Sequence, residues 1–350
     1  KAVAKSHAPA PFTTSSMQQD ASNKLGFTSP ETMSLAQHLY EGIETESGDH
    51  IAFITYMRTD SVRISAEAQA DALSRIRTIY GAEYAPEKPN FYATKKGAQD
   101  AHEAVRPIDL EMTPEKAKGL LDRKHYALYK LIYERFLASQ MAEAKYNSTQ
   151  MEIDNSGYIF KASGRVLLFA GYTKIYEETV QKKEDEDEPS SAKLLPDLKE
   201  GDKLDLLSML KEQKFTKPPL RYTDASLVKA MEEKGIGRPS TYATIISKLN
   251  QKYVKKDGKY MLPTPVAYNV VDMLVKCFQD IMDVGFTAGM ETKLDDIEGG
   301  GVDWHAVIGD FYPGFAEKLK NASSYGDETT DIVCEKCGHF MIRRMGKYGK

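Results

Sequence analysis

Apolar positions recur at helical spacing through the first and last thirds of the chain, and alternate in the middle. Residues 13–41 read as two helices. "TSSMQQDASNKL" carries a Ser/Thr-rich cap and apolar positions at helical spacing, "GF" breaks it, and "SPETMSLAQHLYE" restarts with Ser29 as N-cap and Pro30 at the first helical position. "IAFITYM" predicts a strand, residues 66–80 a helix, and "GAEYAPEKPN" a loop. A long amphipathic helix is expected over 113–144, with Thr113 as cap and Pro114 next.

From residue 145 the period falls to two. "YNSTQMEIDNSGYIFKASGRVLLFAGYTKIY" alternates over short runs broken by "DNSG" and "ASG", the pattern of strands and hairpins. Residues 184–191, "EDEDEPSS", predict a solvated linker. Helices return in "DASLVKAMEEKG" and "RPSTYATIISKLNQ", followed by "KYVKKDGKYMLPTP". Gly26, Pro30 and Thr32 are spaced as Gly235, Pro239 and Thr241 are. Helix, glycine turn, helix and strand is the order of a helix-turn-helix with a wing, and two such blocks suggest an internal duplication.

Composition narrows the class. A chain of 350 residues predicts two to four domains, and 41% hydrophobic with 28% charged residues is ordinary for soluble protein. No apolar run reaches eighteen residues, so no membrane partner is expected. "KAVAKSHAPAP" has no apolar leader core, and the absence of an initial Met predicts a fragment of a longer polypeptide. Cys277, Cys334 and Cys337 make no disulfide framework, which fits a reducing, cytoplasmic compartment. The net charge of −4 conceals segregation: residues 214–259 hold eleven Lys/Arg against four Asp/Glu. A basic patch of that kind suits a phosphate-binding surface.

Several groups of residues can carry chemistry. Tyr56 leads into Arg58, Thr59, Asp60 and Ser61. A phenol of pKa about 10 attacks phosphorus only if its proton is removed and the developing charge is neutralised. A guanidinium grips phosphate in a fork, and i, i+2 spacing on a strand puts Tyr56 and Arg58 on one side. The bland alternative is a core tyrosine, one of twenty. In "QDAHEAVRP", His102, Glu103 and Arg106 predict a short helix stopped by Pro107, with His102 and Arg106 sharing a face toward one phosphate. In "GIGRPSTYATI", Ser240 and Thr241 lie in a helix's first turn, where free N–H groups favour phosphate, with Arg238 just before. Cys334 and Cys337 are half of a zinc site, with His339 a third candidate and no fourth. Glu291, Asp295, Asp296 and Glu298 suit local pairing at a helix end better than magnesium.

Taken in order, "ITYMRTDS", "AHEAVRP", "GIGRPSTYA", "FTAGMETKLDDIEGG" and the final Cys-x-x-Cys resemble bacterial DNA topoisomerase I, of the type IA class, over essentially the whole chain. The resemblance implies a multidomain α+β fold with winged-helix-like units. A tyrosine-bearing helical gate domain would span 1–143 and a β-rich arch 144–214, left with an open edge. A second, DNA-binding helical domain would span 215–325, and the start of a zinc ribbon 326–350. It implies ATP-independent relaxation of negative supercoils through a transient 5′-phosphotyrosine on Tyr56. Arg58 would hold the scissile phosphate and His102 lie near it. Arg106, Arg238, Ser240 and Thr241 would contact DNA. Lys252 would stand for the family's arginine in the helix after "RPSTY".

Expected partners are single-stranded and negatively supercoiled DNA at the nucleoid, and a Toprim domain in cis that has no counterpart here. Magnesium would be held by that domain and zinc by complete ribbons, so neither is expected on this fragment, which should bind single strands without relaxing supercoils. Two other readings are a non-catalytic winged-helix DNA-binding protein with Tyr56 in its core, and the topoisomerase III or reverse gyrase subclass. The Cys-x-x-Cys after "YGDETTDIV" favours topoisomerase I.

Overall fold

The computed structural model describes residues 2–44, 48–93, 102–177, 195–196, 198–322, 325 and 328–343. The linker expected at 184–191 lies outside them. The chain divides into two compact units, Lys1–Lys229 and Ala230–Lys350. Among the described residues no helix is long and apolar enough to cross a membrane.

In the first unit, α1 (Thr14–Asp20) starts at Thr13, whose hydroxyl forms a reciprocal capping box with Ser16, and one π-helical turn (Ala21–Leu25) closes at Gly26 in the left-handed region. The N-cap of α2 (Ser29–Glu41) is Thr28, not Ser29: the Thr28 hydroxyl accepts the Glu31 N–H at 3.3 Å. Ser29 is instead buried inside the first turn, with Pro30 beside it. α3 (Ala66–Tyr80) has the expected bounds, capped by Ser65. The single helix expected over 113–144 is broken. α4 (Pro114–Ala117) stops after one turn, and Asp122 restarts α5 (Arg123–Ser139) by accepting the N–H groups of Lys124 and His125 at 2.8 and 3.0 Å.

Leu128, Tyr129, Ile132 and Phe136 of α5 form a fully buried stripe, joined in one core by Leu39 of α2, Ile76 of α3, Met17 of α1 and Phe12. Burying each such side chain contributes about 1.5–3 kcal/mol. Phe53 sits edge-on to Tyr129 with centroids 5.3 Å apart. The Tyr129 hydroxyl donates to the Met112 carbonyl at 2.5 Å, and burial pushes its pKa well above the usual phenol value.

β4 (Ala144–Asn155) and β5 (Tyr158–Phe169) form one long antiparallel hairpin. "DNSG" is its turn, with Ser156 and Gly157 both at positive φ, as a two-residue hairpin turn requires. "ASG" is no break: Ala162, Ser163 and Gly164 pair in register with Met151, Gln150 and Thr149. The N-terminal β1 (Ala2–Ser6), absent from the sequence expectation, adds a third strand against β4, leaving β1 and β5 as the edges.

The strand expected at "IAFITYM" reduces to β3 (His50–Ile51), paired with β2 (Ile43–Glu44), and one isolated bridge from Ile54 to Pro107. Nor is 102–106 helical: Val105 bridges to Phe12, and the segment runs extended beside 53–55. Long-range backbone pairing there displaces the local i, i+4 pattern.

The division between the units falls within α6 (Asp224–Glu233). Its end closes by two bonds, Gly235 N–H to Glu232 and Ile236 N–H to Met231, with Gly235 at φ 69°. α7 (Tyr242–Lys252) leads into the hairpin of β6 (Val254–Asp257) and β7 (Tyr260–Pro263), then α8 (Pro265–Cys277), α9 (Val284–Glu298) and α10 (Trp304–Ala322). β8 (Glu328–Val333) and β9 (Phe340–Arg343) form a final hairpin. The two glycine-proline blocks differ at the matched threonine. Thr32 is buried within α2 and donates to Thr28, whereas Thr241 is itself the N-cap of α7.

Candidate active site

The irregular segment 52–61 reaches its position because its backbone groups find partners other than a strand. The Phe53 N–H donates to Leu39, and Phe53 accepts from Ile108. The Thr55 N–H donates to the Arg106 carbonyl at 2.9 Å, the Arg106 N–H returns to the Thr55 hydroxyl at 3.0 Å, and that hydroxyl donates to Ala104 at 2.7 Å. Thr14 does the same on the other side: its hydroxyl donates to Met57 at 2.6 Å and accepts the Thr59 N–H at 2.8 Å. Phe53, Ile54 and Met57 are buried, which leaves Tyr56 half-buried and Arg58 exposed.

Two rings flank the Tyr56 phenol. Tyr40, at the end of α2, meets it edge-on with centroids 5.3 Å apart, and His102 lies 5.1 Å away at an interplanar angle of 37°. Among the described residues Arg58, two positions on and exposed, has no hydrogen-bond or ion-pair partner. Arg106 differs. Its Nε and Nη2 bind Glu103 at 2.8 and 2.7 Å, and Nη1 donates to the Pro107 carbonyl at 2.9 Å. The face shared by His102 and Arg106 therefore does not form: His102 meets Tyr56, while Arg106 is neutralised by Glu103. Tyr56, Arg58 and His102 offer a nucleophile, a phosphate-binding cation and a proton-transfer group.

Spacing gave no sign of Thr14, Thr55 or Tyr40. The density of hydroxyls in "FTTSS" and "ITYMRTDS" was the available signal, because a buried irregular backbone needs such donors and acceptors.

A second cluster lies in the other unit. The Arg238 N–H donates to the Thr241 hydroxyl at 2.8 Å, so the cap's oxygen turns back onto the preceding turn, while Ser240 is exposed. The Arg238 guanidinium bonds Asp295 at 2.6 Å, and Glu291 accepts the Gly237 N–H at 3.1 Å. Of the carboxylates considered for magnesium, Glu291 thus holds the glycine turn and Asp295 pairs with Arg238. Gly237 has φ 77°, and a Cβ there would lie 3.1 Å from the Thr241 hydroxyl. Lys252 is exposed at the far end of α7, roughly 16 Å along the helix from Thr241.

At the last hairpin, the Gly338 N–H donates to the Cys334 carbonyl and the Cys334 N–H to that of His339, both at 2.8 Å. Backbone N–H groups of Lys336 and Cys337 aimed at the Cys334 sulfur hold its thiol below the usual range. Two thiols fall short of a four-ligand zinc set, and the described residues contain no group of three or more His, Cys, Asp or Glu suited to a metal. The described residues do not by themselves fit zinc or magnesium.

The sequence profile of the DNA topoisomerase family matches residues 1–309. The chain is 44% identical to DNA topoisomerase 1 of Treponema pallidum over 97% of its own length and 46% of that protein. It is 46% identical to that of Fervidobacterium islandicum, over 97% of this chain and 48% of the relative. The solved structure of full-length topoisomerase I from Thermotoga maritima superposes with a TM-score of 0.80 at 39% identity, covering 99% of this chain and 56% of that one. The chain spans about half the length of the curated relatives it matches. With the family profile matched over residues 1–309 and relatives matched over 97% of this chain, the chain belongs to the bacterial type IA DNA topoisomerase I family.

Proposed function

We propose that Tyr56 is the nucleophile of an ATP-independent DNA strand-passage reaction that relaxes negative supercoils. The observation that carries this reading is the half-buried Tyr56 phenol, flanked by His102, with Arg58, unpaired among the described residues, two residues on. The phenolic oxygen attacks the phosphorus of a single-stranded phosphodiester and forms the Tyr–O–P bond. The P–O3′ bond breaks, the phenol's proton is lost, and the departing O3′ takes up a proton. A second strand passes the gap, and the 3′-hydroxyl reverses the step with no net consumption of energy. Arg58 neutralises the non-bridging oxygens as charge develops on them. His102 is placed to move a proton at the reacting oxygens.

In this reading residues 1–143 form the gate domain and 144–214 the returning strands of the arch. Residues 215–325 form the second, DNA-binding domain, whose α6, α7 and β6–β7 hairpin make a winged-helix-like unit. Residues 326–350 begin a zinc ribbon, completed when further cysteines join Cys334 and Cys337. Exposed Lys252 at the end of α7, with Lys255 and Lys259 on the hairpin that follows, favours contact with a DNA backbone. Arg238, Ser240 and Thr241 contact the single strand. The partner that supplies magnesium and the remaining acid–base groups is a Toprim domain in cis. The 350 residues alone bind single strands without relaxing supercoils, and the whole protein acts on the cytoplasmic nucleoid.

Tyr56→Phe, in a protein of its relatives' full length, tests the reading. The covalent DNA adduct and relaxation are expected to vanish while single-strand binding stays within about twofold. Unchanged relaxation would overturn the assignment of Tyr56 as nucleophile, and a lack of both adduct and relaxation in the unsubstituted protein would favour a non-catalytic DNA-binding protein with Tyr56 in its core.

A further inference from the structure

Arg238 does not wait free for a phosphate. Nη1 donates to the Gly237 carbonyl at 2.9 Å and reaches that of Gly235 at 3.4 Å. Nη2 donates to Asp295 at 2.6 Å, and Glu291 stands 4.0 Å from Nη1. Glu291 and Asp295 are one helical turn apart on α9 and present both carboxylates to the same guanidinium. Their roles differ. Glu291, about a fifth exposed, also accepts the Gly237 N–H and so anchors the turn, whereas the half-exposed Asp295 carboxylate bonds, among the described residues, only the cation.

A guanidinium grips phosphate through two parallel N–H groups on one edge. The Nη1 side is committed to backbone carbonyls. The Nε–Nη2 edge has Asp295 as its one partner among the described residues. Two carboxylates around one cation leave the cluster with a net charge of −1, which repels an incoming phosphate. An ion pair this exposed is also weak enough for a phosphate to displace.

We propose that Asp295 is an internal competitor for Arg238. A single-strand phosphate takes the Nε–Nη2 edge and displaces Asp295, while Glu291 keeps the glycine turn in place. The proposal rests on the reading of Arg238 as a strand contact, and makes Asp295 the residue that sets the strength of that contact. Removing the competitor strengthens binding, the opposite of what loss of a structural ion pair would do.

The test is binding of fluorescently labelled oligo-dT to the 350-residue chain across a salt series, for Asp295→Asn, Arg238→Ala and the double variant, with thermal unfolding of each as a folding control. Asp295→Ser serves as a second competitor-free variant. Asp295→Asn is expected to bind about two- to fivefold more tightly, the range of one exposed ion pair. Arg238→Ala should weaken binding and flatten the log–log salt slope by about 0.7, one phosphate contact on a single strand. In the Arg238→Ala background the gain from Asp295→Asn should disappear. Unchanged or weaker binding by Asp295→Asn and Asp295→Ser, or a gain that persists without Arg238, would overturn the competition. No effect of Arg238→Ala would instead overturn the strand-contact reading beneath it.

Discussion

The rings of Tyr56 and His102 lie 5.1 Å apart, although they belong to different segments of the chain and neither sits in a regular element. The two segments are tied by Thr55, which bonds Ala104 through its hydroxyl and Arg106 through both hydroxyl and backbone. If His102 moves a proton in the reaction, His102→Ala should slow adduct formation on the order of a hundredfold or more. The dissociation constant for single strands should change little. Single-turnover adduct assays alongside equilibrium binding separate the two effects.

Arg58 is expected to matter for chemistry and not for folding. Because it is exposed and has no partner among the described residues, Arg58→Ala should leave the unfolding midpoint nearly unchanged. Adduct formation should fall by about 10²–10³-fold, the loss expected for one preorganised group that stabilises developing charge. Arg58→Lys keeps the charge without the fork and should fall between the two. Rates and melting curves on the same samples check both halves.

Thr55→Val keeps the shape and removes the hydroxyl, leaving the Ala104 carbonyl and the Arg106 N–H short of a partner. A cost of about 1–3 kcal/mol in urea unfolding is expected. His102 should also lose its fixed position, so adduct formation falls even at temperatures where the variant is fully folded. A variant that loses stability with undiminished chemistry would show that the Thr55 clamp does not position His102.

How much was legible before the structure varies with how local the cause is. α3 was bounded correctly because its cap, its periodicity and its closing glycine all lie within the helix. "IAFITYM" reads as a strand from its apolar run, yet its partners are the Thr14 hydroxyl and the backbone of 104–108, reached in part by its own Thr55 hydroxyl, which no spacing rule reveals. The helix expected at His102 failed for the same reason, since Val105 and Pro107 pair with distant backbone. Asp122 was a readable cap overlooked within a long apolar pattern. Tyr56, Arg58 and His102 could be picked out by residue type and motif, but the neutralisation of Arg106 by Glu103 required the fold.

Asp122 links the first unit's stability to pH. Burial alone would raise its carboxyl, but the N–H and ring of His125 and the N–H of Lys124 outweigh it and hold the carboxyl below the usual range. A carboxylate lowered in the folded state stabilises it above the unfolded pKa, near 4, and loses that contribution as pH falls through the folded value. Asp122→Ala should therefore cost about 1 kcal/mol at neutral pH and progressively less below about pH 4. Asp122→Asn should retain most of the cap. Chemical denaturation at several pH values checks the sign.

The most direct measurement is to trap the covalent complex of the full-length protein with single-stranded DNA and locate the linked residue by mass spectrometry. The expected result is a 5′-phosphate on the oxygen of Tyr56, with a free 3′-hydroxyl on the released strand. A DNA link on any other residue, or a link through the 3′-phosphate, would contradict it.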